Sequence, residues 1–346
     1  TFMTRPSSSS VTMRDVARQA GVSVATVSRF INRNAVTSRE VSERIQKVMD
    51  ELNYVPHATA RQLATRKTRV VGLLLTNMSH DFFAPLLSGI ESVVSQNGYN
   101  LLIATYRAGT RDNCEPPVGP HNTDGMLVFA DSLDNTQVAR LYARKFPLVL
   151  IHRTPPDELP IPFVTVENRA AARKVVEHLI TQHGKQRIVL MRGPAQQEDS
   201  YWREEGYKLA LHAHGLPFRP ELVLSGEFER DISYTSMREF LSDSPVFDAV
   251  FASDDDSAIG ALKALNEAGR RVPDDIALVG FDDMRLSSFL TPPLTTVRAP
   301  TEQVGRVAAQ QLFRILEDAT PERVTLLPTQ LILRRSCGCE YIPDNP

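Results

Sequence analysis

Residues 11–32 read VTMRDVARQAGVSVATVSRFIN, and this stretch decides the fold of the N-terminal part of the chain. Thr12 and Asp15 have the pattern of a capping box, with a hydroxyl at the N-cap and a carboxylate three residues later. The pattern predicts a helix that runs to about Ala20. Gly21 then supplies the left-handed conformation in which many helices end.

A second and a third helix are predicted after this glycine. Ser23 can cap a helix from Val24 to about Asn32. Two short helices joined by a turn of three to four residues that contains glycine predict a helix-turn-helix. Thr37 and Glu40 have the pattern of another capping box, which opens the third helix. The apolar positions of that helix share one face: Val41, Ile45, Val48 and Leu52.

Small side chains at the start of the second helix are candidates for contact with DNA. In a helix-turn-helix the second helix enters the major groove, and its N-terminal residues meet the base edges. Val24 and Ala25 suit a thymine methyl group, Thr26 can donate or accept a hydrogen bond, and Ser23 and Ser28 suit phosphates. A plain three-helix bundle with a solvated polar face is the alternative. The predicted contacts in this helix are Ser23, Val24, Ala25, Thr26, Ser28 and Arg29.

A short segment after the third helix has the composition of a helix that is not stable alone. The Tyr-Val-Pro sequence at 54–56 ends the third helix, because proline disfavours helix in the residue before it. HATARQLATRK at 57–67 contains good helix formers but is too short to be helical by itself in water. We expect a helix that forms on DNA beside a symmetric copy, with Leu63 wedged between base steps of the minor groove. Its apolar face is Ala60, Leu63 and Ala64.

The near-neutral net charge of the chain hides an asymmetry. Residues 1–68 hold 11 Lys and Arg against 5 Asp and Glu, a net charge of +6. The whole chain carries −2, so residues 69–346 carry −8. A basic head on an acidic body predicts that only the head meets a polyanion.

Beyond residue 69 apolar runs alternate with helical patterns. The runs are VVGLLLT at 70–76, NLLIATY at 100–106, GMLVFA at 125–130, PLVLIH at 147–152, RIVLMRG at 187–193, DAVFASD at 248–254 and IALVGFD at 276–282. Strands that alternate with helices predict α/β sheets with helices on both faces, and two series of runs predict two doubly wound lobes. Ligands bind outside the carboxyl ends of such strands, so two facing lobes would form a ligand cleft.

These segments resemble the LacI/GalR family of bacterial transcription regulators. VTMRDVARQAGVSVATVSRFIN followed by ELNYVPHATARQLA carries the resemblance over some 50 residues, across the helix-turn-helix and the hinge. The resemblance implies that Val24, Ala25 and Thr26 occupy base-reading positions, that Arg29 lies in the recognition helix, and that Leu63 is the minor-groove lever. It also implies a homodimer on a near-palindromic operator, since one hinge helix needs its twin.

The body resembles the effector domain of the same family, which is similar to periplasmic sugar-binding proteins. GLLL…FFAPLLSGIE, VENRAAARKVVEHLI and VPDDIALVGFDD…LTPPLTTVRAP carry this likeness. The implied fold is an all-α helix-turn-helix head followed by two parallel-sheet α/β lobes. The implied boundaries are a disordered leader at 1–11, a DNA-binding domain at 12–56, a hinge at 57–68 and an effector domain at 69–340, with an N-lobe of 69–167 plus 300–327 and a C-lobe of 168–299 plus 328–340.

The resemblance also implies a set of effector contacts at the strand ends. Aromatic rings would stack on the effector, while carboxylates and an arginine would hold it by hydrogen bonds, the usual means of binding a polyhydroxy compound or a nucleoside. Asp254 lies one residue before the position of the family's aspartate. The implied contacts are Phe82, Phe83, His152, Arg203, Phe228, Asp254 and Asp282.

Each of these side chains also has a purely structural interpretation. One phenylalanine of the pair can belong to the core, Arg203 can form a salt bridge between lobes, and Asp282 can cap a turn. The carboxylates at 254–256 could suggest a metal site, but a helix N-terminus attracts carboxylates without metal. Cys337-Gly338-Cys339 could hold a metal or a labile disulfide, but the sequence shows no second ligand pair, so we expect no metal site.

Two regions differ from the pattern of the family or of some of its members. Between 106 and 124, where the family has a crossover helix, the sequence RAGTRDNCEPPVGPHNT holds three prolines and two glycines. Because proline breaks helix interiors, we expect a short, irregular and mobile connection. RRSCGCEYIPDNP at the C-terminus shows no leucine heptad, which favours a dimer over a helix-bundle tetramer.

Several function classes lack their sequence signals. There is no GxGxxG, P-loop or GxSxG motif, so we expect no enzyme activity and no cofactor. The N-terminal sequence lacks the apolar core of a signal peptide and no membrane-length apolar run follows, so we expect a cytoplasmic protein. The sequence therefore predicts a DNA-binding repressor controlled by a sugar or sugar derivative. An activator, or a regulator with a nucleoside or purine effector, is the alternative.

Overall fold

The structure is a computed structural model that describes residues 11–32, 38–54, 67–108, 115–243 and 246–340. Helices α1 to α10 span Met13–Ala20, Val24–Asn32, Arg39–Glu51, Phe83–Gln96, Asn135–Ala143, Asn168–His183, Glu198–Ala213, Arg230–Ser242, Asp255–Glu267 and Thr301–Leu316. Strands β1 to β12 span Val70–Leu75, Asn100–Thr105, Gly125–Phe129, Leu148–Ile151, Phe163–Val166, Ile188–Arg192, Val223–Ser225, Ala249–Ala252, Ala277–Val279, Thr296–Arg298, Val324–Leu327 and Gln330–Ile332. Among the described residues, no helix is long and apolar enough to cross a membrane.

The chain divides into an N-terminal unit, Thr1–Thr68, and a C-terminal unit, Arg69–Pro346. In the N-terminal unit the backbone N–H and the hydroxyl of Thr12 both donate to the Asp15 carboxylate at the start of α1. Gly21 ends α1 in the left-handed conformation, with φ of 66°. The predicted capping and termination of this helix are confirmed.

The third helix begins differently from its prediction. Ser38, and not Thr37, is the N-cap of α3, and its hydroxyl accepts a hydrogen bond from the backbone N–H of Val41 at 3.4 Å. Position 37 lies outside the described residues. Serine and threonine are both good N-caps, so the sequence alone does not determine which of the two adjacent residues caps the helix. The predicted apolar faces are confirmed, and the buried core of this unit is Val16, Ala17, Ala20, Val27, Ile45, Val48, Met49 and Tyr54.

Two parallel sheets form the C-terminal unit. A six-stranded sheet has the order β11-β5-β4-β3-β1-β2, and a four-stranded sheet has the order β7-β6-β8-β9. We call the regions built on them the first lobe and the second lobe. Helices α4 and α10 pack together on the first sheet, while the pairs α6–α7 and α8–α9 pack on the second. The chain passes from the second lobe to the first at β10 and returns to the second lobe at β12. These two short strands pair in antiparallel fashion.

The seven predicted strands are all present, each within the predicted range. The five strands that the apolar runs did not predict are short, with three or four residues. Their residues alternate between buried and exposed or are partly exposed, as in Phe163–Val166, so none gives a continuous apolar run. The predicted fold class is confirmed.

The proline-rich connection between β2 and β3 contains no helix in its described part, 115–124. Val118 is buried there and packs with Leu74 and Met126 against one face of the first sheet. Val118 thus contributes to the apolar cluster on this face together with side chains from the neighbouring helix, among them Val138 and Leu141. Residues 109–114 lie outside the described part.

Candidate DNA-binding helix and effector cleft

The predicted base-reading side chains lie at the start of α2 and face solvent. Val24 is 42% exposed, and Ala25 is exposed beside it. The Ser23 hydroxyl accepts from the backbone N–H of Thr26 at 3.1 Å and lies 2.8 Å from its hydroxyl. Ser23 therefore caps α2 as predicted, and the cap aligns the two hydroxyls on the exposed end of the helix.

The remaining predicted DNA contacts divide into two groups. The Arg29 side chain is exposed and its Nε donates to the carbonyl of Ala25 at 3.2 Å, so it lies along the outer face of α2. Ser28 is half-buried on the same helix. Ala60 and Leu63, the predicted hinge contacts, lie outside the described residues.

A cleft lies between the two lobes at the carboxyl ends of their strands. Its cavity has a volume of ≈ 90 Å³. The wall begins where β1, β3, β6, β7, β8 and β9 end, as expected for an open α/β sheet. It is formed by Thr76, Asn77, His80, Phe82, Phe83, Arg107, Phe129, Pro194, Gln197, Asp199, Arg203, Glu227, Phe228, Glu229, Asp254, Asp256, Asp282 and Met284.

Six of the seven predicted effector contacts lie on this wall, and His152 is the exception. Its ring packs against Phe82 and Phe129, with centroids 6.1 and 5.5 Å away, behind the wall. Its Nδ1 lies 2.8 Å from an oxygen of Asp199, close enough for an ion pair with the protonated imidazole. Burial acts to raise the pKa of Asp199, but His152 and Arg203 outweigh it and hold that pKa below its usual value. His152 therefore supports a wall residue of the opposite lobe instead of lining the cavity.

Arg203 is the centre of a network in the second lobe. Its guanidinium is 3% exposed, donates to Asn168 Oδ1 at 2.8 Å and to the Ser253 carbonyl, and lies 3.2 Å from Asp282 Oδ1. It also stacks on the ring of Phe281, 3.7 Å from the centroid. The salt bridge joins two segments of one lobe, not the two lobes. The Arg203 guanidinium is therefore held in a fixed position at the cavity wall without a ligand.

Asp282 occupies a strained position after β9. Its φ is 99°, a left-handed conformation that is costly for a residue with a side chain and is common at functional sites. Burial raises its pKa, although the nearby Arg203 acts in the opposite direction. The adjacent Asp283 points away and binds Arg298 Nε at 2.6 Å and Arg334 Nη2 at 2.7 Å, which anchors the strained turn.

The three carboxylates at 254–256 have three different roles. Asp254 caps α9 through the backbone N–H of Ser257 and lies on the cavity wall, where burial raises its pKa to about 7. Asp255 is fully buried behind the wall and accepts hydrogen bonds from the Met284 backbone and two hydroxyls. Asp256 faces the other lobe. The arrangement matches the helix N-terminus interpretation of this run.

Aromatic rings form the apolar part of the wall. Phe82 and Phe83 are in edge contact, with centroids 5.4 Å apart, and Phe83 also belongs to the buried core. On the opposite side, the Phe228 ring lies over Gly193, where an added Cβ would come within 2.3 Å of it. The glycine therefore allows the ring to approach the backbone just after β6. Phe83 thus belongs to both the core and the wall, and contact of either phenylalanine with an effector stays a prediction.

His80 joins the lobes and was not predicted. It follows β1 in the first lobe, and its ring nitrogens lie 3.1 Å from Asp256 Oδ2 and 3.1 Å from Glu229 Oε1 in the second lobe. The hydrogen bond to Asp256, reinforced by Glu229, raises the pKa of His80 to about 9. Thr154 and Glu198 form a further interlobe contact through the threonine N–H and hydroxyl. Proximity to the predicted phenylalanine pair in MSHDFF was the one sequence signal for His80.

This combination of a helix-turn-helix unit and a two-lobed parallel-sheet unit with a strand-end cleft defines a ligand-responsive DNA-binding protein. Residues 12–57 match the model of bacterial regulatory proteins of the lacI family, and residues 176–337 match that of a periplasmic binding protein-like domain. The chain belongs to the lacI family.

Proteins of known function share nearly the full length of the chain. It is 33% identical to the probable transcriptional repressor ExuR of Bacillus subtilis and 31% identical to the ribose operon repressor of Escherichia coli K12, in each case over 94% of this chain and 98% of the relative. Among solved structures, the lac repressor dimer bound to operator and an anti-inducer covers 95% of this chain and 99% of its own, with a TM-score of 0.81 at 26% identity. A CelR–cellobiose complex covers 94% of this chain and 99% of its own, with a TM-score of 0.69 at 32% identity. These relatives are transcriptional regulators, not enzymes.

Proposed function

We propose that this protein is a transcriptional repressor that binds a near-palindromic operator as a homodimer and responds to a neutral carbohydrate in the interlobe cleft. The observation that carries the proposal is the cleft wall, where Arg203 and Asp282 are held rigidly between aromatic rings at the strand ends. Carbohydrates are bound by this combination of flat apolar surfaces and charged hydrogen-bonding groups. The names of the relatives, which include repressors and a cellobiose complex, support the same assignment.

The charge of the wall favours an uncharged ligand over a sugar acid or a sugar phosphate. Its acidic members outnumber its basic ones, and Arg203 is already paired with Asp282. An anion would meet unbalanced carboxylates in a partly buried site, which is costly. The acidic wall residues are Asp199, Glu227, Glu229, Asp254, Asp256 and Asp282, and the basic ones are His80, Arg107 and Arg203.

Asp254 adds a hydrogen-bonding option that suits hydroxyl groups. With a pKa near 7, its carboxyl group is partly protonated at neutral pH and can donate as well as accept. Sugar hydroxyls also do both, so Asp254 and the ionised Asp199 can bind neighbouring hydroxyls with opposite polarity.

Control of DNA binding requires that the ligand distinguish two states of the cleft. A cavity of ≈ 90 Å³ is small compared with the roughly 300–1,000 Å³ of typical ligand pockets, so a sugar must separate the lobes to enter. Separation breaks the contacts of His80 with Asp256 and Glu229. We propose that this movement shifts the first lobes across the dimer axis, and that the two hinge helices then form or melt.

The DNA part of the proposal is tested with an operator selected in vitro from random sequence. Wild-type protein is expected to select a near-palindrome and to bind it as a dimer. Leu63→Ala is expected to weaken operator binding at least about tenfold while binding to random duplex changes little, because the wedge acts only on deformed operator DNA. Equal loss on both DNAs would contradict the wedge, and selection of a single half-site would contradict the dimer.

The ligand part is tested by thermal shift with neutral sugars, sugar acids, sugar phosphates and nucleosides, because a ligand of the native state raises the melting temperature. The proposal predicts that a neutral sugar gives the largest shift. A larger shift with a nucleoside or a sugar acid would overturn the assignment of ligand class. The single tryptophan, Trp202, lies in the C-terminal unit and reports its unfolding by fluorescence.

A further inference from the structure

Four side chains of metal-ligating types lie close together away from the cleft wall, although the two histidines and the two cysteines are far apart in the sequence. His178 and His183 come from the last turns of α6, while Cys337 and Cys339 follow β12. One ligand atom from each residue lies within 4.8 Å of all the others. Cys337 is 2% exposed, and the other three side chains are partly buried.

The distances are those of a tetrahedral site. Zinc binds thiolate sulfur at about 2.3 Å and imidazole nitrogen at about 2.0–2.1 Å, so a regular tetrahedron places two nitrogens about 3.3 Å apart and a nitrogen and a sulfur about 3.5 Å apart. Here the Nε2 atoms of the two histidines lie 3.2 Å apart. Cys339 Sγ lies 3.4 Å from each of them, and Cys337 Sγ lies 3.8 Å from Nε2 of His178.

The backbone brings each pair of ligands together. α6 ends at His183, since Gly184 takes the left-handed C-cap conformation, and the last ring can therefore turn toward His178. Gly338 has a φ of 101°, a conformation that suits glycine, and it separates the two cysteines. An added Cβ at Gly338 would lie 3.4 Å from His183 Nδ1, an ordinary contact distance, so the backbone conformation and not the ring accounts for the glycine.

A hydroxyl group lies beside one of the thiols. The Thr295 hydroxyl is 3.1 Å from Cys337 Sγ, close enough to donate a hydrogen bond to its thiolate. Such outer contacts orient the ligands of metal sites and are typical of them. The sequence alone showed only the cysteine pair; the fold supplies the second ligand pair that it lacked.

We propose that His178, His183, Cys337 and Cys339 bind one Zn²⁺ ion, or a similar soft divalent cation, in a closed structural site. Two thiolates and two neutral imidazoles balance the charge of the ion and leave no open position, as in structural zinc sites. The ion fastens the C-terminal segment to the end of α6. Binding requires deprotonation of both thiols, and the two protons are released to solvent.

The test uses the full-length protein, purified under a thiol reductant and without chelator. The metal content is expected to be about one zinc ion per chain. After the zinc is stripped, added Co²⁺ is expected to give the visible bands of tetrahedral cobalt and a thiolate charge-transfer band, and added Zn²⁺ is expected to remove both. Mg²⁺ should do neither, because it prefers oxygen ligands.

Variants locate the site. Cys339→Ser and His183→Gln are expected to lower the zinc content to about a tenth or less and to abolish the cobalt charge-transfer band, while His212→Gln, an exposed histidine of α7, retains both. The wild-type cobalt spectrum keeps the proposal testable if a variant does not fold. A wild-type protein with neither zinc nor a cobalt–thiolate band, or variants that keep the wild-type zinc content, would overturn the proposal. Neither result depends on the cleft or its ligand.

Discussion

The two units use polar side chains in opposite ways. In the N-terminal unit most polar side-chain contacts are local and exposed: Thr12 binds Asp15, and Ser23 binds Thr26, each across three residues. The C-terminal unit adds long-range contacts that are buried or partly buried: Asp255 binds Thr296 across 41 residues, and His80 meets Asp256 across 176. The first unit leaves its hydroxyls at the surface where DNA can reach them, whereas the second unit buries its carboxylates and holds their positions with partners.

This difference indicates how each unit should respond to substitution. A local cap contributes about 1 kcal/mol and affects one helix, whereas a buried carboxylate with several donors stabilises segments that are far apart in the chain. The loss of stability caused by a substitution should therefore be smaller and confined to one helix in the N-terminal unit, and larger and more widespread in the C-terminal unit.

The largest effect is expected for Asp255→Ala. The substitution leaves the Met284 N–H and the hydroxyls of Ser287 and Thr296 buried without their acceptor. We expect the free energy of unfolding to fall by about 3–4 kcal/mol, because each unsatisfied buried group costs about 1–3 kcal/mol and some will find other partners. Urea unfolding followed by Trp202 fluorescence measures the loss.

The matched control for this variant is Asp274→Ala. Asp274 is exposed and pairs with Arg271 at the surface. Its loss should change the free energy of unfolding by no more than about 0.5 kcal/mol. Similar values for the two aspartates would show that the buried network does not stabilise the C-terminal unit.

Asp282→Asn should weaken the effector site without disturbing the DNA site. A charged acceptor to a ligand hydroxyl becomes a neutral one, so the affinity for the sugar identified by thermal shift should fall about 10- to 100-fold. Isothermal titration measures this change. Operator affinity in the absence of sugar should stay within about twofold of wild type, and Asp274→Asn should match wild type in both assays. If Asp282→Asn bound the sugar with wild-type affinity, the assignment of Asp282 as an effector contact would be wrong.

Ser23→Ala tests the local character of the N-terminal unit. Loss of the cap should destabilise α2 by about 1 kcal/mol and weaken operator binding, while the Trp202 fluorescence transition stays where it is. Amide exchange over 13–32 measures the local effect. Ser23→Thr, which keeps a capping hydroxyl, should restore most of the protection. A shift of the Trp202 transition in Ser23→Ala would show that the two units do not respond separately.

A pH dependence is also expected at the lobe contact. The pKa of His80 rises from 6.5 to about 9 in the folded protein. The protonated form is therefore favoured by folding, so its contribution is complete below pH 6.5 and is lost as the pH rises through 9. Melting temperatures of wild type should decline over this range, while His80→Gln should start lower and decline less. Asp256 and Glu229 contact the ring, and Arg230 binds Asp256 on the same side of the lobe contact. Parallel pH profiles would contradict the assignment.

Much of the N-terminal unit was predictable because its determinants are adjacent in sequence. Thr12, Asp15 and Gly21 define α1 through contacts within one or two turns. The one error, Thr37 in place of Ser38 as a cap, concerned two adjacent residues that suit the position equally well. Strong apolar runs predicted the central strands for the same reason, since burial on both faces leaves a continuous pattern.

Part of the cleft wall was predictable, but its contacts were not. Phe82, Arg203, Asp254 and Asp282 were placed correctly on the wall because strand ends meet at one edge of each sheet. Which of them pair cannot be read from such a pattern. The bridge from His80 to Glu229 spans 149 residues, and the approach of His178 to Cys337 spans 159. Only the packing of the lobes brings such pairs together.

The central claim is that a sugar in the cleft of the C-terminal unit changes operator binding by the N-terminal unit. The direct measurement is the operator dissociation constant of wild type and of Asp282→Asn, by fluorescence anisotropy at fixed salt, as the sugar identified by thermal shift is added. The account predicts a change of about 5- to 150-fold in wild type that saturates with the sugar-binding curve, and a curve displaced to higher sugar concentration in Asp282→Asn. An operator dissociation constant that stays unchanged at saturating sugar would contradict it.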